Sequence, residues 1–162
     1  MRRLVTPADF DRVHDIYMDA HVVRYLGFDP MPREAFARVF DPLFDSGCFY
    51  VYEVDTRVQG FYQVQRHRGR AAHVAYLGTF AVAPDVQGQG VARAMMTDAL
   101  ARLRQAGIRR VELLVEADNP RAIAFYEGFG FSHEGTQRAA YKRASEPGYI
   151  DELMYGLLIE QP

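Results

Sequence analysis

Gln87-Gly88-Gln89-Gly90-Val91-Ala92 is the stretch whose residue types and spacing carry the clearest chemistry. Two glycines one residue apart let the main chain approach a bulky anion. The alanine- and methionine-rich pattern that begins at Val91 is helical, so its first free amides, at the positive end of the helix dipole, point to the same spot. An apolar, strand-like run ends at Pro84 just before the loop. Strand, glycine loop and helix N-terminus together make a seat for a phosphate-bearing ligand.

Two well-known phosphate seats do not fit. A P-loop needs lysine and then Ser or Thr directly after its last glycine, and Val91 and Ala92 stand there instead. A dinucleotide fingerprint needs a third small residue where Arg93 stands, glycines closing directly off the strand, and an acid at the end of the next strand. Pro84-Asp85-Val86-Gln87 separates strand from glycines, and Glu112 opens its strand rather than closing it.

The chain that must position this loop has 162 residues, 49% hydrophobic and 25% charged, with a formal net charge of −2. That is the profile of one globular domain over 1–162, able to bury roughly 70% of its unfolded surface. Scattered arginines and a slightly acidic balance give no footprint for nucleic acid. No apolar run nears the about 20 residues that cross a bilayer, so no membrane partner and a cytoplasmic location are expected. Cys48 is alone and flanked by Phe49 and Tyr50, which reads as a buried structural thiol. The histidines share no ligand spacing with it or with one another, and no metal is expected.

Alternating elements fill the chain. Arg2 to Val5 reads as a strand, and Thr6-Pro7 as the N-cap and first position of a helix running to about Ala20. His21 to Pro32 reads as a loop and Arg33 to about Phe44 as a second helix. Cys48–Val54, Val58–His67 and Ala72–Ala83 read as strands joined by the short turns at Asp55–Arg57 and Arg68–Arg70, with Gly78 marking a bulge or a close backbone approach. Val91, Met95, Met96, Ala99 and Leu103 lie at helical spacing, with the methionines as core filler, until Gly107. Val111–Val115 follows as a strand parallel to its predecessor, then Asn119-Pro120 opens a short helix that Gly130 ends. Phe131 to about Gln137 and Tyr149 to Ile159 complete an α/β (α+β) fold: a mixed, mostly antiparallel central sheet of about seven strands with helices on both faces.

Gln87-x-x-Gly90-x-Ala92 after a strand, with Asn119, Tyr126 and Gly130-Phe131 downstream, resembles the acetyl-CoA signature of the GCN5-related N-acetyltransferase (GNAT) family. The resemblance spans roughly Leu77 to Glu134, and the ending Gly148-Tyr149-Ile150-Asp151-Glu152-Leu153-Met154 is similar to bacterial members that act on small amines and amino acids. It implies that backbone groups of Phe80, Ala81 and Val82 pair with the pantetheine arm, and that the pyrophosphate sits on the amides of Gln87, Gly88, Gln89, Gly90, Val91 and Ala92. The loop carries no lysine and has Gln rather than Arg at its signature position, so backbone dipoles carry the charge, with Arg93 or Arg121 near the ribose phosphate. Asn119 has a capping role of its own beside any cofactor contact. Tyr126 falls where the family keeps its proton donor to the departing thiolate; its other reading is an aromatic core residue between Phe125 and Phe129.

The implied activity is transfer of an acetyl group from acetyl-CoA to a small-molecule primary amine by direct attack. A non-catalytic acyl-CoA sensor and a peptide N-terminal acetyltransferase are the alternatives. An attacking amine has a pKa of about 10 and must lose a proton. Glu116 and His73 lead the candidates to take it, ahead of Tyr76 and Asp151. Tyr17, Tyr25 and Phe28 near the first two helices, with Tyr141 and Tyr149 in the final hairpin, are expected to build the acceptor pocket, tyrosine having an apolar body and a polar tip. Relatives are commonly dimeric, so a homodimer is also an expectation.

Overall fold

The computed structural model describes residues 1–159. Its centre is a seven-stranded sheet in the order β1-β2-β3-β4-β5-β7-β6, formed by β1 (Arg2–Leu4), β2 (Phe49–Val54), β3 (Arg57–Arg66), β4 (Val74–Val82), β5 (Arg110–Glu116), β6 (Ser132–Tyr141) and β7 (Ile150–Leu158). Every neighbouring pair is antiparallel except β4 and β5, which the crossover helix α4 (Val91–Gln105) joins in parallel. The other helices are α1 (Phe10–Tyr17), α2 (Ala20–Val23), α3 (Arg33–Asp45) and α5 (Pro120–Glu127).

Helices cover both faces of the sheet, as the sequence pattern requires. On one face, Val13, Ile16 and Tyr17 of α1 and Phe36 and Phe40 of α3 pack on Phe49, Val51 and Phe61. On the other, Met95, Met96, Ala99 and Leu103 of α4 pack with Tyr126 and Phe131 on Ala75, Leu77, Val111 and Leu113. The two methionines are fully buried, their expected role as filler. Among the described residues no helix is long and apolar enough to cross a membrane.

Boundaries moved where side chains override the local pattern. The first helix stops at Tyr17, and the stretch from His21 read as loop begins inside α2, because the Asp19 carboxylate accepts from the His21 N–H at 2.9 Å and caps a new turn. Thr6 still marks the entry to the first helical segment: its N–H and hydroxyl both donate to Asp9, which Arg3 also grips. The turn expected at Arg68–Arg70 is a longer connection holding a 3-10 turn, Gly69–Ala71. β6 runs on to Tyr141, with Ala139 at φ 52 in an irregular stretch. Cys48 is half-buried, not enclosed, with its sulfur 3.2 Å from the Ser46 hydroxyl.

Candidate active site

The parallel ladder is short. β4 and β5 pair only at Val74–Arg110, Ala75–Val111 and Tyr76–Glu112, after which the strands separate. A bulge accounts for the bend: between the Phe61–Ala81 and Gln63–Gly78 pairs, Thr79 and Phe80 oppose the single residue Tyr62, with Thr79 at φ 51. Gly78, the expected mark of an irregularity, borders it, and a Cβ there would press to 2.7 Å from the Tyr76 ring. The divergence opens a cleft of about 830 Å³ lined by Phe80, Ala81 and Val82, by the glycine loop, and by Asn119 and Tyr126 across from them.

Backbone chemistry in the cleft is more selective than the signature implies. Ala83 N–H donates to Gln59 O at 2.8 Å, so alternation along β4 turns the N–H and C=O of Phe80 and Val82 to the open edge, whereas Ala81 faces β3. In the loop, the Gln87 and Gln89 amides are already bonded to the carbonyls of Pro84 and Val86. The amides of Gly88, Gly90, Val91 and Ala92 have no acceptor among the described residues. Gly88 and Gly90 adopt φ 80 and 83, where glycine alone is unstrained, and both line the cleft. A Cβ on either would meet no protein atom within 4 Å, so the space above them is open. Four donors and a helix N-terminus around open space fit the diphosphate of coenzyme A.

Side chains complete the rim. Arg121 donates to Gln87 Oε1 at 2.7 Å and ties α5 to the loop. Arg93 lies over the Phe129 ring at 5.2 Å and also lines the cleft. Asn119 caps α5 through a 3.1 Å bond from the Ala122 N–H. Tyr126 is 9% exposed and lies edge-on to Phe125 and Phe131, yet its hydroxyl has no partner among the described residues. Burial pushes its phenol pKa up, so it keeps its proton at neutral pH.

Tyr126 also lines a second, inner cavity of about 160 Å³ that occupies the gap between β4 and β5, with Tyr25, Tyr76, Tyr141, Glu116 and Glu152 around it. Burial raises Tyr76 to about 12 and pushes Tyr141 up as well. Beside it lies an outer cavity of about 210 Å³ with Phe28, Lys142 and Arg143, sharing Glu116 and Tyr141. Tyr25, Phe28 and Tyr141 therefore gather where an acceptor pocket was expected. Tyr17 and Tyr149 do not. Tyr17 is 1% exposed, stacked on Phe61, and donates to Leu26 O at 2.9 Å, so it supports the loop beneath the cleft. Tyr149 is 67% exposed under Lys142 and lines none of the three cavities.

The proton-acceptor candidates also separate. His73 precedes β4 at the end away from the cleft, exposed, with its carbonyl bonded to the Arg109 and Arg110 amides. Asp151 is held in the final hairpin, where its Oδ1 accepts from the Ala139 N–H at 2.8 Å. Glu116 does reach the inner cavity, but its Oε2 accepts from Arg143, which also holds Asp118 at 2.7 Å. Burial pushes the Glu116 carboxyl up and the guanidinium pulls against it. Glu152 was missed: it lies directly opposite Glu116 in the β5–β7 register, and the strand period separates it from Asp151 by face without saying which face looks into the gap. Among the described residues no group of His, Cys, Asp and Glu is placed to hold a metal ion.

The model of the Acetyltransferase (GNAT) family matches residues 10–131. Relatives named mycothiol acetyltransferase include those of Brachybacterium faecium, 38% identical over 68% of this chain and 33% of its own length, and of Streptomyces coelicolor, 36% identical over 63% and 33%. The chain thus spans about a third of the length of these curated relatives. Among solved structures, the ribosomal-protein-S18-alanine N-acetyltransferase of Escherichia coli aligns over 100% of this chain and 95% of its own, with TM-score 0.76 and 24% identity. A ribosomal-protein-alanine N-acetyltransferase from Brucella melitensis aligns over 98% and 99%, with TM-score 0.77 and 21% identity. At these identities the structures share the fold.

Proposed function

The chain belongs to the GNAT acetyltransferase family, and from that premise we propose that it transfers an acetyl group from acetyl-CoA to the primary amine of a small molecule in a ternary complex. The observation that carries the reading is the junction at Tyr126, which lines both the cleft with the four unpaired amides and the inner tyrosine-lined cavity. A donor lying along β4 and an acceptor entering from the inner cavity meet at that hydroxyl.

Acetyl-CoA supplies the activated thioester. The chain's own residues do the rest. Gly88, Gly90, Val91 and Ala92 hold the diphosphate through N–H donors fixed before binding, so little reorganisation is needed. Phe80 and Val82 offer the open strand edge to the amide-rich arm. Tyr126 donates its hydroxyl proton to the sulfur that leaves and recovers one from the amine nitrogen as the amide forms, the ammonium having given its other proton to water before attack. Because burial keeps that phenol protonated well above neutral pH, the donor is loaded throughout the physiological range. Glu116, tied to Arg143, sets the floor of the inner cavity; taking a proton would weaken that contact.

The acceptor's size is bounded by the inner and outer cavities, about 160 and 210 Å³, which suit a small amine. The mycothiol acetyltransferase relatives support a small-molecule acceptor. The test is release of free CoA thiol when acetyl-CoA is offered with amines, amino acids and peptides. Turnover on small amines is the expected result. Turnover on peptides alone would move the assignment to protein N-termini, and calorimetric binding of acetyl-CoA without turnover would leave a sensor.

A further inference from the structure

We infer that Glu152 is the acceptor-binding carboxylate, holding the ammonium of a primary alkylamine in the inner cavity within reach of Tyr126. The inference rests on the acetyltransferase reading for its reaction, and on the cavity alone for its binding site.

Charge in the inner cavity is unbalanced. Two carboxylates line it, Glu116 and Glu152, and no Arg, Lys or His does. They oppose each other across β5 and β7, an arrangement that like charges disfavour. Glu116 is compensated from outside the cavity by Arg143, which is in contact with it. Glu152 is 8% exposed and forms no ion pair among the described residues, and the Tyr141 side chain lines the same cavity beside it. A buried carboxylate without a cation is disfavoured unless something supplies the charge. Tyr76, Tyr141 and Tyr126 give the same cavity aromatic walls, and aromatic faces attract an ammonium as a carboxylate does. Carboxylate, aromatic walls and a volume of about 160 Å³ specify a compact ammonium head. The outer cavity differs: Arg24, Lys142 and Arg143 line it together with Asp29 and Glu116, so cations balance its carboxylates, whereas the inner cavity has carboxylates alone.

The experiment uses the full chain with carbon-13 in its glutamate side chains, and n-propylammonium chloride as probe against n-propanol, its neutral counterpart. The Glu152 carboxyl signal is assigned as the one lost in Glu152→Gln, or in Glu152→Asp should the first variant not fold. The expected result is a saturable shift of that signal with propylammonium and none with propanol. In Glu152→Gln the same titration, followed on the Tyr141 ring signals, should show affinity about tenfold weaker. No shift with propylammonium, or an equal shift with propanol, overturns the inference. Calorimetry with acetyl-CoA on the same samples keeps the two readings apart. Acetyl-CoA binding without a Glu152 response removes the ammonium site alone, whereas a Glu152 response without acetyl-CoA binding supports the ammonium site and removes the acetyltransferase reading.

Discussion

Glu116 and Glu152 stand opposite each other on adjacent strands, and only Glu116 has a guanidinium against it. The pair divides the work of one small cavity between a structural anchor and an unneutralised carboxylate, and the two halves make opposite predictions.

Burial raises the Glu152 pKa above that of an unfolded glutamate, about 4.3. A raised carboxyl favours the folded state while protonated, so its contribution is intact below the unfolded value and is lost as pH rises through the folded one. Glu152→Gln removes that loss. At pH 7.5 the variant should melt about 2–4 °C higher than the parent, the shift that about 1 kcal/mol produces in a chain of this size. At pH 3.5 the two should melt together; a constant difference across the range would contradict the assignment.

Arg143 makes the reverse case. It contacts Glu116 and holds Asp118 and Glu146, so Arg143→Met leaves a buried carboxylate alone. The expected loss is about 3 kcal/mol in urea unfolding at pH 7. Adding Glu116→Gln should recover most of it, since the orphaned charge is gone. Hydrogen bonding to Arg143 also holds Asp118 below the usual carboxylate range. A depressed pKa contributes stability that is present above the unfolded value, about 3.9, and is lost as pH falls through the folded one. The parent should therefore lose stability on acidification more steeply than Asp118→Asn.

Tyr126→Phe removes a hydroxyl that bonds to nothing in the described chain, so the melting temperature should hold. Turnover should fall about 10²-fold or more, the usual worth of a positioned proton donor. Acetyl-CoA affinity measured by calorimetry should stay near that of the parent. Equal turnover by the two proteins would return Tyr126 to its alternative role as a core ring.

Gly90→Val places a β-branched side chain at φ 83, at the head of α4. Two effects separate by measurement. The left-handed backbone costs about 1–2 kcal/mol of stability. Loss of two charge-assisted hydrogen bonds, about 3 kcal/mol together, weakens acetyl-CoA binding about 100-fold. Normal binding by a folded variant would end the case for a backbone-held diphosphate.

Much of this was legible in the residues themselves. Gly88 and Gly90 announce their backbone, Asn119-Pro120 its helix start, and the helical spacing of Met95, Met96, Ala99 and Leu103 its buried face. What was illegible depends on partners far away in sequence. Whether Gln87 and Gln89 have free amides is decided by how the turn after Pro84 closes. Whether Tyr17 lines a pocket or fills a core is decided by Phe61, and whether Glu116 is available is decided by Arg143. His73 reads in sequence as sharing the strand Ala72–Ala83 with Phe80, but β4 begins only at Val74 and His73 lies just before it, at the end away from the cleft. Alternation places Asp151 and Glu152 on opposite faces, and only the register with β5 says which one looks inward.

Among the described residues, three rungs are all of the strand ladder between the four strands that precede the glycine loop and the three that follow it. Past Tyr76 the two halves lean apart like an open book, and any extended molecule laid along Val82 becomes a surrogate strand stitching the spine. Occupancy should therefore be felt as cohesion between the halves: solvent exchange of the Val82 amide slows when the guest is seated, and the lips of the wedge stiffen together.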